Sequence, residues 1–137
     1  MSKKVNIEAM INADLQQVWD FYTNPKHIIN WNFASDDWCC PKASNDLKVG
    51  GKYSARMEAK DGSFGFDFEG IYDEVEEKNK LTYSLEDGRQ STTIFENKAN
   101  GTLVKTTFDA ETQNSIDQQR DGWQAILNNF KSYVEAN

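Results

Sequence analysis

The chain has 137 residues, one domain by length, and carries 22 acidic against 15 basic residues for a net charge of −7. An acidic chain with no basic stripe lacks the Lys and Arg that neutralise phosphates, so neither nucleic acid nor an anionic membrane surface is an expected partner. Only 38% of the residues are hydrophobic, yet four Trp, five Tyr and eight Phe are more than a disordered chain carries, and a folded interior rich in rings is expected.

Met1-Ser2-Lys3-Lys4-Val5 has two lysines with no apolar run behind them, so no signal peptide is expected. No segment approaches the roughly 20 apolar residues of a membrane span. Cys39 and Cys40, the two cysteines, are adjacent, and such pairs rarely bridge without strain. The lack of a disulfide framework fits a reducing compartment, and cytoplasm is the expected location.

In chain order, Val5, Ile7, Ala9 and Ile11 alternate with Asn6 and Glu8, the pattern of a half-buried strand over 5–11. Asn12 or Asp14 can cap a helix whose apolar positions Leu15, Val18, Trp19 and Tyr22 keep helical spacing. Asn24-Pro25 ends it, and Pro25 suits the first turn of a second short helix through Ile28, Ile29 and Trp31. Residues 32–50 show no period and read as a long loop with room for one short strand.

From Gly50 the pattern changes to strands and turns. Tyr53, Ala55, Met57 and Ala59 share a face opposite Lys52, Ser54, Arg56, Glu58 and Lys60. Asp61-Gly62 predicts a tight primed turn, which needs positive φ at its centre. Phe64, Phe66, Phe68, Gly70 and Tyr72 then share a face opposite Gly65, Asp67, Glu69, Ile71 and Asp73. The polar run Glu76 to Lys80 leads into Leu81, Tyr83 and Leu85; Asp87-Gly88 leads into a strand through Thr93 and Phe95; Asn100-Gly101 leads into Val104, Thr106, Phe108 and Ala110. Connections this short make neighbours antiparallel, so the middle of the chain is a meander of five strands with one apolar and one polar face.

The last segment is helical, with Ile116, Gln119, Trp123, Ile126, Leu127, Phe130 and Val134 in one stripe. Ser115 is the expected cap, and Asp117 suits the positive end of the helix. Gly122 costs such a helix about 1 kcal/mol relative to Ala, so it is expected to permit close packing against a neighbour.

Catalytic signatures are sparse. His27 is the single histidine, and one His with two adjacent Cys gives no structural zinc spacing. Ser and Thr have no evident His partner to activate them, and Gly50-Gly51 reads as a strand-opening bend. Cys39 and Cys40 read as structural, since a reactive thiol needs a cationic neighbour. The inward phase of the meander holds no carboxylate, Lys, Arg or His, while Arg56, Asp67 and Glu69 fall on the outer face unless a one-residue bulge reverses the phase. Acid–base catalysis needs a titratable group aimed at the substrate. An enzyme is therefore the lesser expectation, and a cyclase or dehydratase type would have to draw on Asp36, Asp37 or Cys39 in the loop over 32–49. The uncharged aromatic face fits either a filled core or the lining of a small-molecule pocket.

A sheet with one apolar face must be covered, and the last helix carries the matching stripe. The order of elements, with Ile11-Asn12-Ala13, Val18-Trp19, Pro25, Trp31, Gly50-Gly51, Asp61-Gly62, Gly70 with Tyr72, Leu81, and Gly122-Trp123 with Leu127, resembles the START-like (SRPBCC) helix-grip superfamily. Within it, the chain resembles the branch named after the activator of the heat-shock chaperone ATPase. The resemblance spans nearly the whole chain, although Trp38 to Pro41 aligns with nothing. It implies an α+β helix-grip fold as one domain over residues 1–137, a curved antiparallel sheet wrapped around the long C-terminal helix. It matches only the C-terminal type of domain of the activator, so the N-terminal chaperone-docking region is expected to be absent.

The resemblance also implies an apolar, aromatic-lined pocket for a hydrophobic or aromatic small molecule. The expected ligand contacts are Trp31, Tyr53, Met57, Phe66, Phe68, Tyr83, Phe108, Gln119, Trp123 and Leu127. No cofactor and no metal are expected. A chaperone partner, with a role in stress response, is the second reading, and the expected assembly is a monomer or weak dimer.

Overall fold

The computed structural model describes residues 3–137. Its elements run β1 (Lys4–Ile11), α1 (Leu15–Thr23), α2 (Pro25–Ile28), β2 (Trp38–Cys39), β3 (Ala43–Asn45), β4 (Lys52–Ala59), β5 (Gly65–Glu76), β6 (Lys80–Leu85), β7 (Gln90–Lys98), β8 (Gly101–Asp109) and α3 (Ile116–Glu135). The eight strands form one antiparallel sheet ordered β1-β8-β7-β6-β5-β4-β2, with β3 also paired to β4. The sheet curls round α3 in an α+β helix-grip fold, and the short helices pack across one end.

Local chemistry sets the helix ends. Asp14 caps α1 by accepting from the backbone N–H of Gln17 at 2.8 Å. Asn24 closes α1 and opens α2, accepting from Lys26 N at 3.0 Å, with Pro25 in the first turn where its missing N–H costs nothing. Ser115 and Gln118 form a reciprocal capping box on α3. Two side chains of α3 then serve the open edge of β1: Gln124 Nε2 donates to Glu8 O at 3.1 Å and Lys131 Nζ to Met10 O at 2.6 Å.

The core lies between α3 and the inner face of the sheet. Leu127, Phe130 and Val134 of α3 are buried against Val18 and Trp19 of α1 and Phe95 and Val104 of the sheet. Phe130 has no exposure and makes T-shaped pairs with the Tyr22 and Trp31 rings, with centroids 5.2 and 4.8 Å away.

Four expectations change. Residues 32–50 hold two strands: β2 pairs with Ala59 and Glu58, and β3 with Ala55 to Tyr53. Stretches of two or three residues are too short to show a period. The hairpins are not primed turns, because positive φ falls on Gly62, Gly88 and Gly101 but not on Asp61, Asp87 or Asn100. The inward phase also breaks. A register shift between Tyr72 and Glu74 puts Val75 on the core side with Tyr72, and Phe64 and Phe66 are 60% and 40% exposed in an outer cluster with Trp38.

Gly122 is the fourth. A Cβ built there meets nothing within 4 Å, so close packing does not explain it. Gly122→Ala is therefore expected to raise the free energy of unfolding by about 1 kcal/mol, by helix propensity and a less flexible unfolded chain. Urea melts of the two proteins measure this, and a loss of stability would mean that the helix does approach a neighbour at that point.

A cavity beneath the last helix

Between α3 and the sheet lies a cavity of about 360 Å³. Rings from β4, β5, β6 and α3 pack on one another along its wall. Tyr53 and Tyr83 stack at 5.8 Å, Phe68 meets Tyr83 edge-on, and Trp123 of α3 meets Phe68 edge-on at 6.1 Å. Gly70 permits this, since a Cβ there would lie 2.7 Å from Cδ1 of Tyr83.

Eight of the ten expected ligand contacts line this cavity: Trp31, Tyr53, Met57, Phe66, Phe68, Tyr83, Trp123 and Leu127. Phe108 does not, because the Trp123 indole covers its face in a 4.0 Å parallel stack. Gln119 does not either. Its side chain is spent on the loop before α3, accepting from Glu111 N and donating to Glu111 O and Asn114 O.

Several lining residues lay outside the expected set, among them Tyr22, Asn32, Tyr72, Thr93, Thr106 and Arg89. Most are polar groups tied down by the protein. Asn32 donates to the Tyr53 hydroxyl at 2.9 Å, and the Tyr72 hydroxyl donates to Asn45 Oδ1 at 2.7 Å. Tyr22 shares a hydrogen bond with Thr93 at 3.3 Å, and Thr93 another with Thr106 at 2.9 Å. Burial pushes the phenols of Tyr22, Tyr53, Tyr72 and Tyr83 up, so all four stay protonated and neutral near pH 7.

Arg89 breaks the rule of an uncharged wall. Counting back by twos from Phe95 through Thr93 and Ser91 reaches Arg89, so the β7 alternation, extended to the residue before the strand, points to it. It sits where the cavity meets solvent. The β5–β6 ladder begins only at Gly70 and Leu85, leaving Gly65 to Glu69 unpaired on that side. An outer groove there shares Phe66, Phe68, Leu85 and Arg89 with the cavity wall. A second opening, between α3 and the segment around Trp38, shares Met57, Phe66, Trp123 and Ile126 and runs past Gly122.

The family model for "Activator of Hsp90 ATPase homolog 1-like protein" matches residues 12–135. The chain belongs to this family. Among solved structures, an AHSA1-like protein from Aeromonas hydrophila is 46% identical, covering 98% of this chain and 93% of its own, with a TM-score of 0.92. A protein from Cytophaga hutchinsonii is 42% identical with the same coverage and a TM-score of 0.84. One from Chromobacterium violaceum shares the fold at 18% identity, with a TM-score of 0.87 over 98% of this chain and 99% of its own. No curated protein matches.

In this member of the activator of Hsp90 ATPase homolog 1-like family, the candidate catalytic residues lie away from the cavity. Asp36 and Asp37 are exposed, and Cys39, half-buried, is not among the residues that line the cavity. Cys40 is buried against Ala55 and Met57, and burial pushes its thiol up to about 11, which keeps it protonated at neutral pH. His27 stacks on Phe21 at 3.9 Å and shares a hydrogen bond with the Tyr133 hydroxyl at 2.8 Å, pinning α2 to α3. Arg56, Asp67 and Glu69 stand on the outer face, paired with Glu58, Arg56 and Lys52. No group of three or more His, Cys, Asp or Glu among the described residues has metal-site geometry, and no described helix is long and apolar enough to cross a membrane.

Proposed function

We propose that this chain is a binding protein whose cavity takes an apolar, ring-bearing small molecule. The observation that carries this is the cavity itself: about 360 Å³, walled by Trp31, Tyr53, Phe68, Tyr83 and Trp123. That volume falls in the range of roughly 300–1,000 Å³ common to small-molecule sites, which pair apolar walls with a few orienting polar groups. The pinned hydroxyls of Tyr22, Tyr53 and Tyr72 give the cavity fixed polar points without a general base, which supports binding over acid–base catalysis.

The neutral dye N-phenyl-1-naphthylamine tests this reading. It is expected to gain fluorescence on the protein with one-site saturation and to raise the melting temperature as its concentration rises, as linkage requires. A dye that neither brightens nor shifts the melt would remove the binding reading.

A second reading, action on the Hsp90 chaperone through the protein surface, is supported by the family's description and by the exposed Phe64 and Phe66. ATPase assays of purified Hsp90 with and without this protein decide it: stimulation supports that role, and an unchanged rate removes it.

A further inference from the structure

We propose that the molecule bound in the cavity is an organic carboxylate, its apolar body among Phe68, Tyr83 and Trp123 and its anionic group on the guanidinium of Arg89. This rests on the cavity being a binding site and names the chemical class that the site selects.

Arg89 is the one charged side chain on the cavity wall among the described residues, and it stands at the mouth rather than in open solvent, with 31% of its side chain exposed. The hairpin holds its backbone: Leu85 N donates to Arg89 O at 2.7 Å and Gly88 N to Leu85 O at 2.9 Å, with Gly88 at φ 91°. Asp87, 55% exposed, takes the Nε–H at 2.6 Å and so fixes the plane of the guanidinium. Among the described residues nothing accepts from Nη1 or Nη2. A fixed, half-desolvated fork with free donors matches the geometry of a carboxylate, which can accept two parallel hydrogen bonds from it.

Ser91, at the start of β7, is the next residue of the same phase as Arg89. Ser91 Oγ is buried and has no hydrogen-bond partner among the described residues. Its cross-strand neighbour is Tyr83, whose ring lines the cavity. Tyr83 thus brings a hydroxyl-bearing ring to the cavity wall beyond Arg89, while Ser91 is buried outside the lining. Asp67, Glu69, Glu86 and Asp87 border the outer groove, but the three with ion-pair partners are 42–55% exposed, so water and salt screen their repulsion.

Calorimetric titration with 1-naphthylacetate and its uncharged, nearly isosteric amide, 1-naphthylacetamide, separates this from simple apolar binding. The parent protein is expected to bind the carboxylate about 10- to 100-fold tighter than the amide, the range for a charge-assisted hydrogen bond. Arg89→Gln is expected to remove that preference while leaving the amide within about twofold, and Arg89→Lys to keep part of it. Equal binding of both compounds by the parent overturns the proposal with no variant needed, and leaves the binding reading intact. Equal weakening of both compounds by Arg89→Gln also overturns it, because Arg89 would then only clasp the hairpin. If neither compound binds and the neutral dye also fails, the cavity is not a binding site and both readings fall.

Discussion

Phe130→Ala is expected to cost about 3–5 kcal/mol of unfolding free energy, a large part of the roughly 5–15 kcal/mol that holds a domain of this kind together. Phe130 is fully buried on α3, and the Tyr22 and Trp31 rings both pack against it in T-shaped pairs. Removing the ring loses its transfer energy, two aromatic contacts and the packing of α3 against α1 and the segment after α2. The hole cannot collapse easily, because Trp31 is itself tied by its indole N–H to Phe21 O at 3.0 Å and Asn129 holds Trp31 O at 2.8 Å. Urea unfolding followed by circular dichroism reads the loss. A cost below about 1 kcal/mol would mean that α3 is not seated in the sheet as described.

Trp123→Ala is expected to cost about 3 kcal/mol, at the low end for a tryptophan because one side of the ring already faces the cavity. The 4.0 Å stack on Phe108 and the edge contact with Phe68 are what the truncation removes. Trp123→Phe separates packing from recognition. It should retain the fold while lowering affinity for N-phenyl-1-naphthylamine several-fold, since a smaller ring leaves part of the cavity wall uncovered. If the phenylalanine variant binds the dye as tightly as the parent, Trp123 is only a core residue. If the alanine variant melts with the parent, the stack on Phe108 contributes nothing.

These two residues mark how the sequence reads and where it stops reading. Phe130 lies on a stripe that helical spacing alone identifies, and Asn24-Pro25 and Ser115 announce their caps because the capping side chain lies within three residues of its partner, while the structure decides between Asn12 and Asp14 for Asp14. Strand alternation likewise brings Tyr53, Met57, Phe68 and Tyr83 to one face. What was not legible depends on contacts distant in sequence. β2 and β3 exist only because the β4 edge accepts them. Phe108 has the inward phase of a lining residue, but a ring from another element lies on it. Gln119 sits on the buried stripe, yet its amide is matched to loop backbone groups that no period encodes. Arg89 was legible in principle, by carrying the phase of β7 one residue beyond its start at Gln90; the Asp87-Gly88 turn signal masked it.

The central claim, that the interior cavity and not the surface holds the small molecule, is most directly tested by the indole N–H signals of the four tryptophans in 15N-labelled protein titrated with N-phenyl-1-naphthylamine. The four are placed to discriminate: Trp31 and Trp123 line the cavity, Trp19 is packed edge-on to Phe95 in the core, and Trp38 belongs to the outer cluster with Phe64 and Phe66. Saturable shifts largest at Trp123 and Trp31, with Trp19 unmoved, are the expected result. Shifts at Trp38 with Trp123 and Trp31 unchanged would place the dye on the outer aromatic cluster and contradict the account.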